Sequence, residues 1–216
     1  MAEFNGTNGN DDFQGTPSSD LIRGFGGNDV FSGGFGTDTI VGGAGSDSLS
    51  GDENGDELLG GDGNDYLFGG SGFDRLSGGN GIDTIFGGEG DDFITGRQFG
   101  ITEGEGEEDI LWGGSGNDSF YFFSFTGGAV ILRDFVPNDD SIVLNSGAFQ
   151  NLPLGELPNE NFALGTAGES DDRIIYNPFN GDLIYDVDGV GGAASNTFAV
   201  LPTNLQLTNA DIRISS

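Results

Sequence analysis

The 216-residue chain has no cysteine, histidine or lysine, and these absences exclude much enzyme chemistry. Without cysteine there are no disulfides and no thiolate chemistry. Without histidine there is no Ser-His-Asp or Cys-His catalysis, and the imidazole ligands of zinc are missing. Without lysine there is no Schiff base and no Walker A phosphate loop. A carboxylate pair remains, but 36 acidic residues make such a pair uninformative. We therefore predict that the protein is not an enzyme.

Positive charge is also scarce. The chain has six cationic residues, all arginine, against 36 acidic ones, and its net charge is −30. Residues 1–121 carry a net charge of −21, and residues 122–216 carry −9. Binding to nucleic acid or to an anionic membrane surface requires cations on the protein. We therefore predict neither partner.

Targeting and membrane segments are missing from the sequence as well. The first residues, MAEFNGTNGNDDF, have no basic region and no apolar run, so they do not resemble a Sec-type signal peptide. No stretch approaches the length of a membrane span, which predicts that the chain does not insert into a membrane.

Glycine, in contrast, is abundant and regularly spaced. Ten nonapeptides run without a gap from Gly6 to Thr95, and two more begin at Gly104 and Gly113 after an eight-residue insertion at 96–103. Position one is always glycine, position six is always aspartate and position eight is always apolar. The position-eight residues are Phe13, Ile22, Phe31, Ile40, Leu49, Leu58, Leu67, Leu76, Ile85, Ile94, Leu111 and Phe120. A strict period over this length is typical of a solenoid.

The positions within a repeat predict its local structure. Positions one to six hold glycine and small polar residues, which suit tight turns with left-handed backbone conformations. Positions seven to nine form a short strand whose position-eight side chain points inward. Two turns and two strands, or eighteen residues, close one coil. We therefore predict an all-β fold, a right-handed parallel β-roll whose coils stack about 4.8 Å apart.

This geometry places the position-six aspartates in two columns. Residues eighteen apart lie on the same edge, which gives one column of Asp11, Asp29, Asp47, Asp65 and Asp83 and another of Asp20, Asp38, Asp56, Asp74 and Asp92. Stacked carboxylates repel one another unless a cation lies between them, and oxygen ligands in loose geometry favour Ca²⁺ over Mg²⁺. Eight same-edge pairs predict about eight calcium ions. Asp109 and Asp118 extend the ligand set. If the insertion fills one nonapeptide slot, Asp109 joins the Asp92 edge and Asp118 the Asp83 edge.

The repeat G-G-x-G-x-D-x-U-x resembles the RTX, or hemolysin-type, calcium-binding family over residues 5–121. The resemblance implies export by type I secretion machinery with an uncleaved C-terminal signal, placed in LQLTNADIRISS, and calcium-driven folding outside the cell. Some turns depart from the pattern at position four, where Ser18, Asn54 and Glu107 replace glycine. Asn54 tolerates the left-handed conformation better than most residues.

Two other interpretations of a glycine-rich acidic chain fail. Permanent disorder does not require an apolar residue at position eight in all twelve repeats. Collagen does not fit, because position seven is never glycine. Disorder without calcium that gives way to folding with calcium remains consistent with the sequence.

The composition of the chain changes near Tyr121, where the glycine-rich repeats end and apolar residues become more frequent. We predict two domains, the roll at 1–121 and a β-rich C-terminal cap carrying the secretion signal at 122–216. Strands are predicted at YFFSF, AVILRDF, SIVL and TFAVL, a hairpin around Asn180–Gly181, and at most short helices between Phe149 and Leu164. Asp186 and Asp188 begin like a calcium loop, but Thr197 stands where an EF-hand has its last acidic ligand. These two aspartates either bind calcium or stabilise a turn.

The sequence favours a secreted calcium-binding structural protein that is extracellular or associated with the cell surface. Such a protein serves a surface layer, matrix or filament by forming a homo-oligomer or polymer. The first coil exposes an open strand edge that can pair with a second copy, with calcium at the junction on Asp11 and Asp20. The alternative is a passive module for secretion, buffering or adhesion that does not assemble. A third interpretation, a carbohydrate-active enzyme, requires turnover of a polysaccharide.

Overall fold

The structure is a computed structural model that describes residues 1–97, 108–126, 128–166, 171–189 and 195–216. The described residues form strands and two 3-10 turns, so the predicted all-β class is confirmed. None of their helical segments is long and apolar enough to cross a membrane. The chain divides into two compact units. The first comprises the described residues up to Arg97 together with Asp109–Ser119, and the second comprises Glu108 and the described residues from Phe120 to Ser216.

The first unit is a parallel β-solenoid, as the period predicted. Its strands are β1 (Glu3–Asn5), β2 (Asp12–Gln14), β3 (Leu21–Gly26), β4 (Val30–Phe35), β5 (Thr39–Ala44), β6 (Ser48–Glu53), β7 (Glu57–Asp62), β8 (Tyr66–Ser71), β9 (Arg75–Asn80), β10 (Thr84–Glu89), β11 (Phe93–Thr95) and β12 (Ile110–Ser115). Odd-numbered strands form one sheet in sequence order, and even-numbered strands form the other. Each strand pairs in parallel with the strand one coil away, for example Ile22 with Ile40. Most strands are six residues long because they continue through position three of the next repeat.

The core of the solenoid is the position-eight series. In the first unit these side chains are almost fully buried from Ile22 onward, and Phe4 and Phe13 are half-buried in the first coil. The rings of Phe13 and Phe31 stack with their centroids 5.5 Å apart. One apolar side chain per nonapeptide therefore fills the space between the two sheets.

No coil separates β10 from β12, so the condition that the insertion fills one nonapeptide slot is not met, and the edges assigned to Asp109 and Asp118 on that condition are exchanged. Thr84 of β10 pairs directly with Ile110 of β12, and the carbonyl of Gly96 accepts a hydrogen bond from the N–H of Gly79. Gly96 therefore takes the position-one place in its coil, and the extra residues follow it. Asp109 lies on the Asp83 edge and Asp118 on the Asp92 edge. Residues 98–107, which hold Gly104, Glu107 and most of the predicted insertion, lie outside the described part of the chain.

The second unit is built of shorter and more irregular strands. They are β13 (Ser119–Phe122, its first residue in the first unit), β14 (Val130–Leu132), β15 (Ser141–Asn145), β16 (Gly155–Glu156), β17 (Phe162–Leu164), β18 (Ile174–Tyr176), β19 (Asp182–Asp186), β20 (Ser195–Val200) and β21 (Ile212–Ser215). The predicted hairpin is confirmed, because β18 and β19 pair antiparallel. The 3-10 turns cover Asn159–Asn161 and Asn209–Asp211.

An aromatic cluster fills the core of the second unit. The ring of Phe149 lies 5.1 Å from that of Tyr185 and 5.0 Å from that of Phe198, in edge-to-face arrangements. The hydroxyl of Tyr185 donates a hydrogen bond to the carbonyl of Gln150 at 2.7 Å, which satisfies its polar atom inside the core. This unit therefore has a core of a different kind from the row of single side chains in the solenoid.

Candidate metal centre

The structure brings the predicted ligands together in the two expected columns. One edge carries Asp11, Asp29, Asp47, Asp65, Asp83 and Asp109, and the other carries Asp20, Asp38, Asp56, Asp74, Asp92 and Asp118. Eleven of the twelve have a relative exposure of 3% or less, and Asp11 is half-buried. Burial of a column of carboxylates is costly unless each charge is compensated.

Backbone hydrogen bonds fix one oxygen of nearly every carboxylate. In ten of the twelve, the N–H of the aspartate donates to Oδ1 of the next aspartate on its edge, at 2.6 to 2.9 Å. Where the insertion intervenes, the sequence separation rises from 18 to 26 residues but the bond is the same. This ladder orients the carboxylates identically in successive coils.

The second carboxylate oxygen is left for another partner. Oδ2 accepts no hydrogen bond and is buried in seven aspartates: Asp29, Asp38, Asp47, Asp56, Asp65, Asp74 and Asp92. A buried carboxylate oxygen without a donor is unfavourable and points to a bound cation. This buried Oδ2 without a hydrogen-bond donor, which we call orphaned, recurs along both edges and is the feature by which these residues fit a metal ion.

Position-one glycines complete the surroundings of each Oδ2. A Cβ atom built on Gly60 would collide with Oδ2 of Asp65 and with the carbonyl oxygen of Gly78. The same pair of oxygens, one from a carboxylate and one from a glycine carbonyl of the next coil, surrounds the corresponding glycines along both edges. Glycine at position one therefore leaves room for two oxygens to converge, which a side chain would occupy.

The donor set is mixed. Among the described residues, no three acidic side chains converge closely enough to hold a metal ion by themselves. A cation would therefore take ligands from backbone carbonyls as well as from carboxylates. Calcium accepts such oxygens in flexible geometry, whereas magnesium requires a tight octahedron and keeps several waters. The residues present fit calcium.

Burial changes the protonation of these groups in the metal-free structure. Desolvation raises the pKa of Asp56 and Asp92 to about 7 and that of Asp65 and Asp74 to about 6, although N–H donation from the preceding aspartate opposes it. Asp20 behaves oppositely, because the N–H of Thr16 holds its pKa below the ordinary value. Asp20 is as buried as the other aspartates, but it differs from them in that Thr16 and Ala2 donate hydrogen bonds to its carboxylate.

These shifts predict an effect of pH on the calcium-free chain. The folded pKa values lie above the unfolded value, so the destabilisation is full above about pH 7 and is relieved as pH falls toward about 4. In calcium-free buffer, protons should therefore partly take the place of the cation, and the strand signal in circular dichroism should rise as pH falls from 8 to 5. A strand signal that stays unchanged or falls over this interval would contradict this prediction.

Several functional contacts were not predicted. Oδ2 of Asp11 accepts hydrogen bonds from the N–H and hydroxyl of Thr7, at 2.6 and 3.0 Å, and Oδ2 of Asp20 accepts them from Thr16, at 2.6 and 2.8 Å. The available signal was threonine at position two, where most repeats have glycine.

Asp186 accepts the N–H groups of Asp188 and Gly189 through Oδ1, which is the turn role considered for it in the sequence.

Comparison with known proteins agrees with the site. The chain matches the RTX calcium-binding nonapeptide repeat (4 copies) over residues 5–40, 32–67, 41–76, 68–99 and 103–122, more than half of its length. It belongs to this family, whose repeats imply calcium binding.

No curated protein sequence gives a significant match. Among solved structures, the chain is similar to the AlgE6R3 subunit from the Azotobacter vinelandii mannuronan C5-epimerase. The identity is 24%, the TM-score is 0.29, and the alignment covers 75% of this chain and 79% of that one. A TM-score this low carries no argument about function.

Proposed function

We propose that this chain is a secreted structural protein whose β-roll folds when calcium binds between its coils. The observation that carries the proposal is the column of buried Oδ2 atoms without a hydrogen-bond donor, each beside a glycine carbonyl. The net charge of −30, with only six arginines available, makes folding without a cation unfavourable. Calcium that binds only the folded roll stabilises it by mass action.

The proposed ligands are the ten aspartates after the first coil. They are Asp29, Asp38, Asp47, Asp56, Asp65, Asp74, Asp83, Asp92, Asp109 and Asp118. Four hydrogen-bonded neighbour pairs lie on each edge, so these ten still predict about eight ions, the number expected from the sequence.

We extend the proposal to domain roles and location. Residues 1–121 are the calcium-binding roll, and residues 122–216 are a cap that carries the signal for type I export. A chain without cysteine or disulfides suits passage through a channel in unfolded form, and low calcium inside a cell would keep the roll unfolded until export. The proposed location is therefore extracellular or at the cell surface, and the proposed role is not enzymatic.

Self-association is the finer part of the proposal. Within the described residues, β1 pairs only with β3 and β2 pairs only with β4, so each has one edge free for another strand. Strands with unpaired edges can pair with a second copy, which would form a surface layer, matrix or filament.

A calcium titration tests both levels. Calcium is added to chelated protein while circular dichroism, light scattering and the fluorescence of Trp112 are followed. Trp112 is the sole tryptophan and stacks on Phe86 at 4.3 Å. Strand signal and a fluorescence change should appear together near 10⁻⁴ to 10⁻³ M calcium, the approximate range of extracellular modules.

Magnesium at the same concentrations is the control and should not produce the transition. Scattering that rises with the strand signal supports assembly, whereas flat scattering at micromolar protein leaves a calcium-dependent module without assembly. A chain that gains no strand signal with calcium would contradict the proposed function.

A further inference from the structure

The described repeats differ in the backbone at position two, and the difference follows the hydrogen bonding of the aspartate. Nine repeats have a positive φ at this position: Phe25, Gly34, Gly43, Asp52, Gly61, Gly70, Gly79, Gly88 and Gly114. All seven aspartates with an orphaned Oδ2 belong to these nine repeats. Phe25 and Asp52 adopt the positive φ although they carry a Cβ atom, so the conformation belongs to the turn and not to glycine alone.

The first two repeats have a different turn. Thr7 and Thr16 do not take a positive φ, as expected of a β-branched residue, and Thr16 is further restricted because Pro17 follows it. In this conformation the threonine N–H reaches Oδ2 of the aspartate four residues later, at 2.6 Å in both turns. The hydroxyl adds a second bond to the same oxygen. We refer to this arrangement as a closed turn.

In the closed turns the carboxylate lies farther from the position-one glycine than in the later repeats. In the ten later repeats, Oδ2 lies 2.5 Å or less from the position of a Cβ built on the position-one glycine. In the closed turns the corresponding distances are 2.7 Å at Gly6 and 3.2 Å at Gly15. The N–H of Ala2 also donates to Oδ1 of Asp20 at 2.7 Å, so both oxygens of that carboxylate have donors.

The second unit has related contacts, in which a β-branched residue donates to a buried aspartate three or four residues later. The N–H of Val136, which precedes Pro137, donates to Oδ2 of Asp140 at 2.7 Å. The N–H and hydroxyl of Thr208 donate to Oδ2 of Asp211 at 2.7 and 3.0 Å. Both aspartates are buried. A β-branched residue that supplies N–H donors to a buried carboxylate therefore recurs where the nonapeptide pattern is absent.

We propose that Thr7 and Thr16 take the place of calcium on Asp11 and Asp20, so that the first two turns of the roll close without metal. This inference rests on the proposed function of the other turns and removes two residues from the ligand set predicted from sequence. In the closed turns, hydrogen bonds from the N–H and hydroxyl groups compensate the carboxylate charge. In the later repeats, the proposed calcium ion compensates it. It also removes the predicted calcium junction at Asp11 and Asp20, so any pairing at β1 and β2 would depend on strand hydrogen bonds.

Ion counting on two matched double variants of the full chain tests this inference. Asp11→Asn/Asp20→Asn changes the closed turns, and Asp29→Asn/Asp38→Asn changes the equivalent positions one coil later on the same two edges. Bound calcium per chain is measured by equilibrium dialysis and atomic emission at saturating calcium, with folding checked by circular dichroism. The first variant should bind as many ions as the unmodified chain, and the second should bind at least two fewer.

Loss of two or more ions by Asp11→Asn/Asp20→Asn, while the unmodified chain binds calcium, would overturn the inference and leave the proposed function standing. An unmodified chain that binds no calcium would overturn both. If a variant does not fold, a crystal structure of the unmodified, calcium-saturated protein decides the question. No ion should lie within about 2.6 Å of the carboxylate oxygens of Asp11 or Asp20, and an ion there would refute the inference.

Discussion

Replacing Gly60 by alanine should raise the calcium concentration needed for half-folding by about tenfold or more, which corresponds to at least about 1.4 kcal/mol. The added Cβ would lie against Oδ2 of Asp65 and the carbonyl oxygen of Gly78, the two oxygens proposed to meet the ion. Gly60 does not have a positive φ, so the expected cost comes from occupied space and not from backbone strain. Because each coil stacks on its neighbours, a blocked site in the middle of the roll should also reduce the cooperativity of the transition.

Gly9→Ala is the matched control. Gly9 lies in the same unit, is exposed and has no positive φ, and a Cβ there would meet only Oγ1 of Thr7 at 3.7 Å. Its calcium midpoint should stay within about twofold of the unmodified chain, since exposed substitutions usually cost less than about 0.5 kcal/mol. Equal calcium midpoints for Gly60→Ala and the unmodified protein would show that the space beside Gly60 does not hold the ion.

The second large effect should come from the apolar row. Ile85 has no exposed surface and packs between the two sheets, so Ile85→Ala should lower the free energy of unfolding by about 2 to 5 kcal/mol through lost burial and the cavity left behind. The measurement is urea unfolding at one fixed, saturating calcium concentration, because bound calcium itself contributes to stability.

Ile82→Ala tests the same chemical change three residues earlier. Ile82 stands at position five and is 47% exposed, so its truncation should alter stability by only about 0.5 kcal/mol. A similar loss in both variants would mean that position eight does not carry the core of the roll.

The regular part of this molecule could be predicted from the sequence because its physics is local and repeated. One apolar residue per nonapeptide, as at Leu67, fixes which side of each strand faces inward, and the eighteen-residue coil then determines the column to which each aspartate belongs. The edge to which Asp109 and Asp118 belong could not be predicted in this way, because the eight residues of the insertion are nearly one nonapeptide. The pairing of Thr84 with Ile110 and the ladder bond between Asp83 and Asp109 show that no extra coil lies between β10 and β12.

Two other features depended on information that the period does not contain. The closed turns result from the φ preference of Thr7 and Thr16, which a search for glycine and aspartate spacing ignores. In the second unit, Phe149, Tyr185 and Phe198 come from distant segments, so neither their contact nor the hydrogen bonds to Asp140 and Asp211 could be found from sequence spacing. The hairpin of β18 and β19 was predictable because its turn signal is local.

The aspartate ladder also gives the roll a polarity. In ten of the twelve position-six aspartates, the N–H donates to a carboxylate of the coil that follows in sequence, as that of Asp47 does to Asp65. The two faces of a coil are therefore chemically different: carboxylate acceptors point toward the preceding coil, and N–H donors point toward the following one. A ladder of this kind can be extended only by a coil in the same orientation, which makes the stacking strictly head to tail.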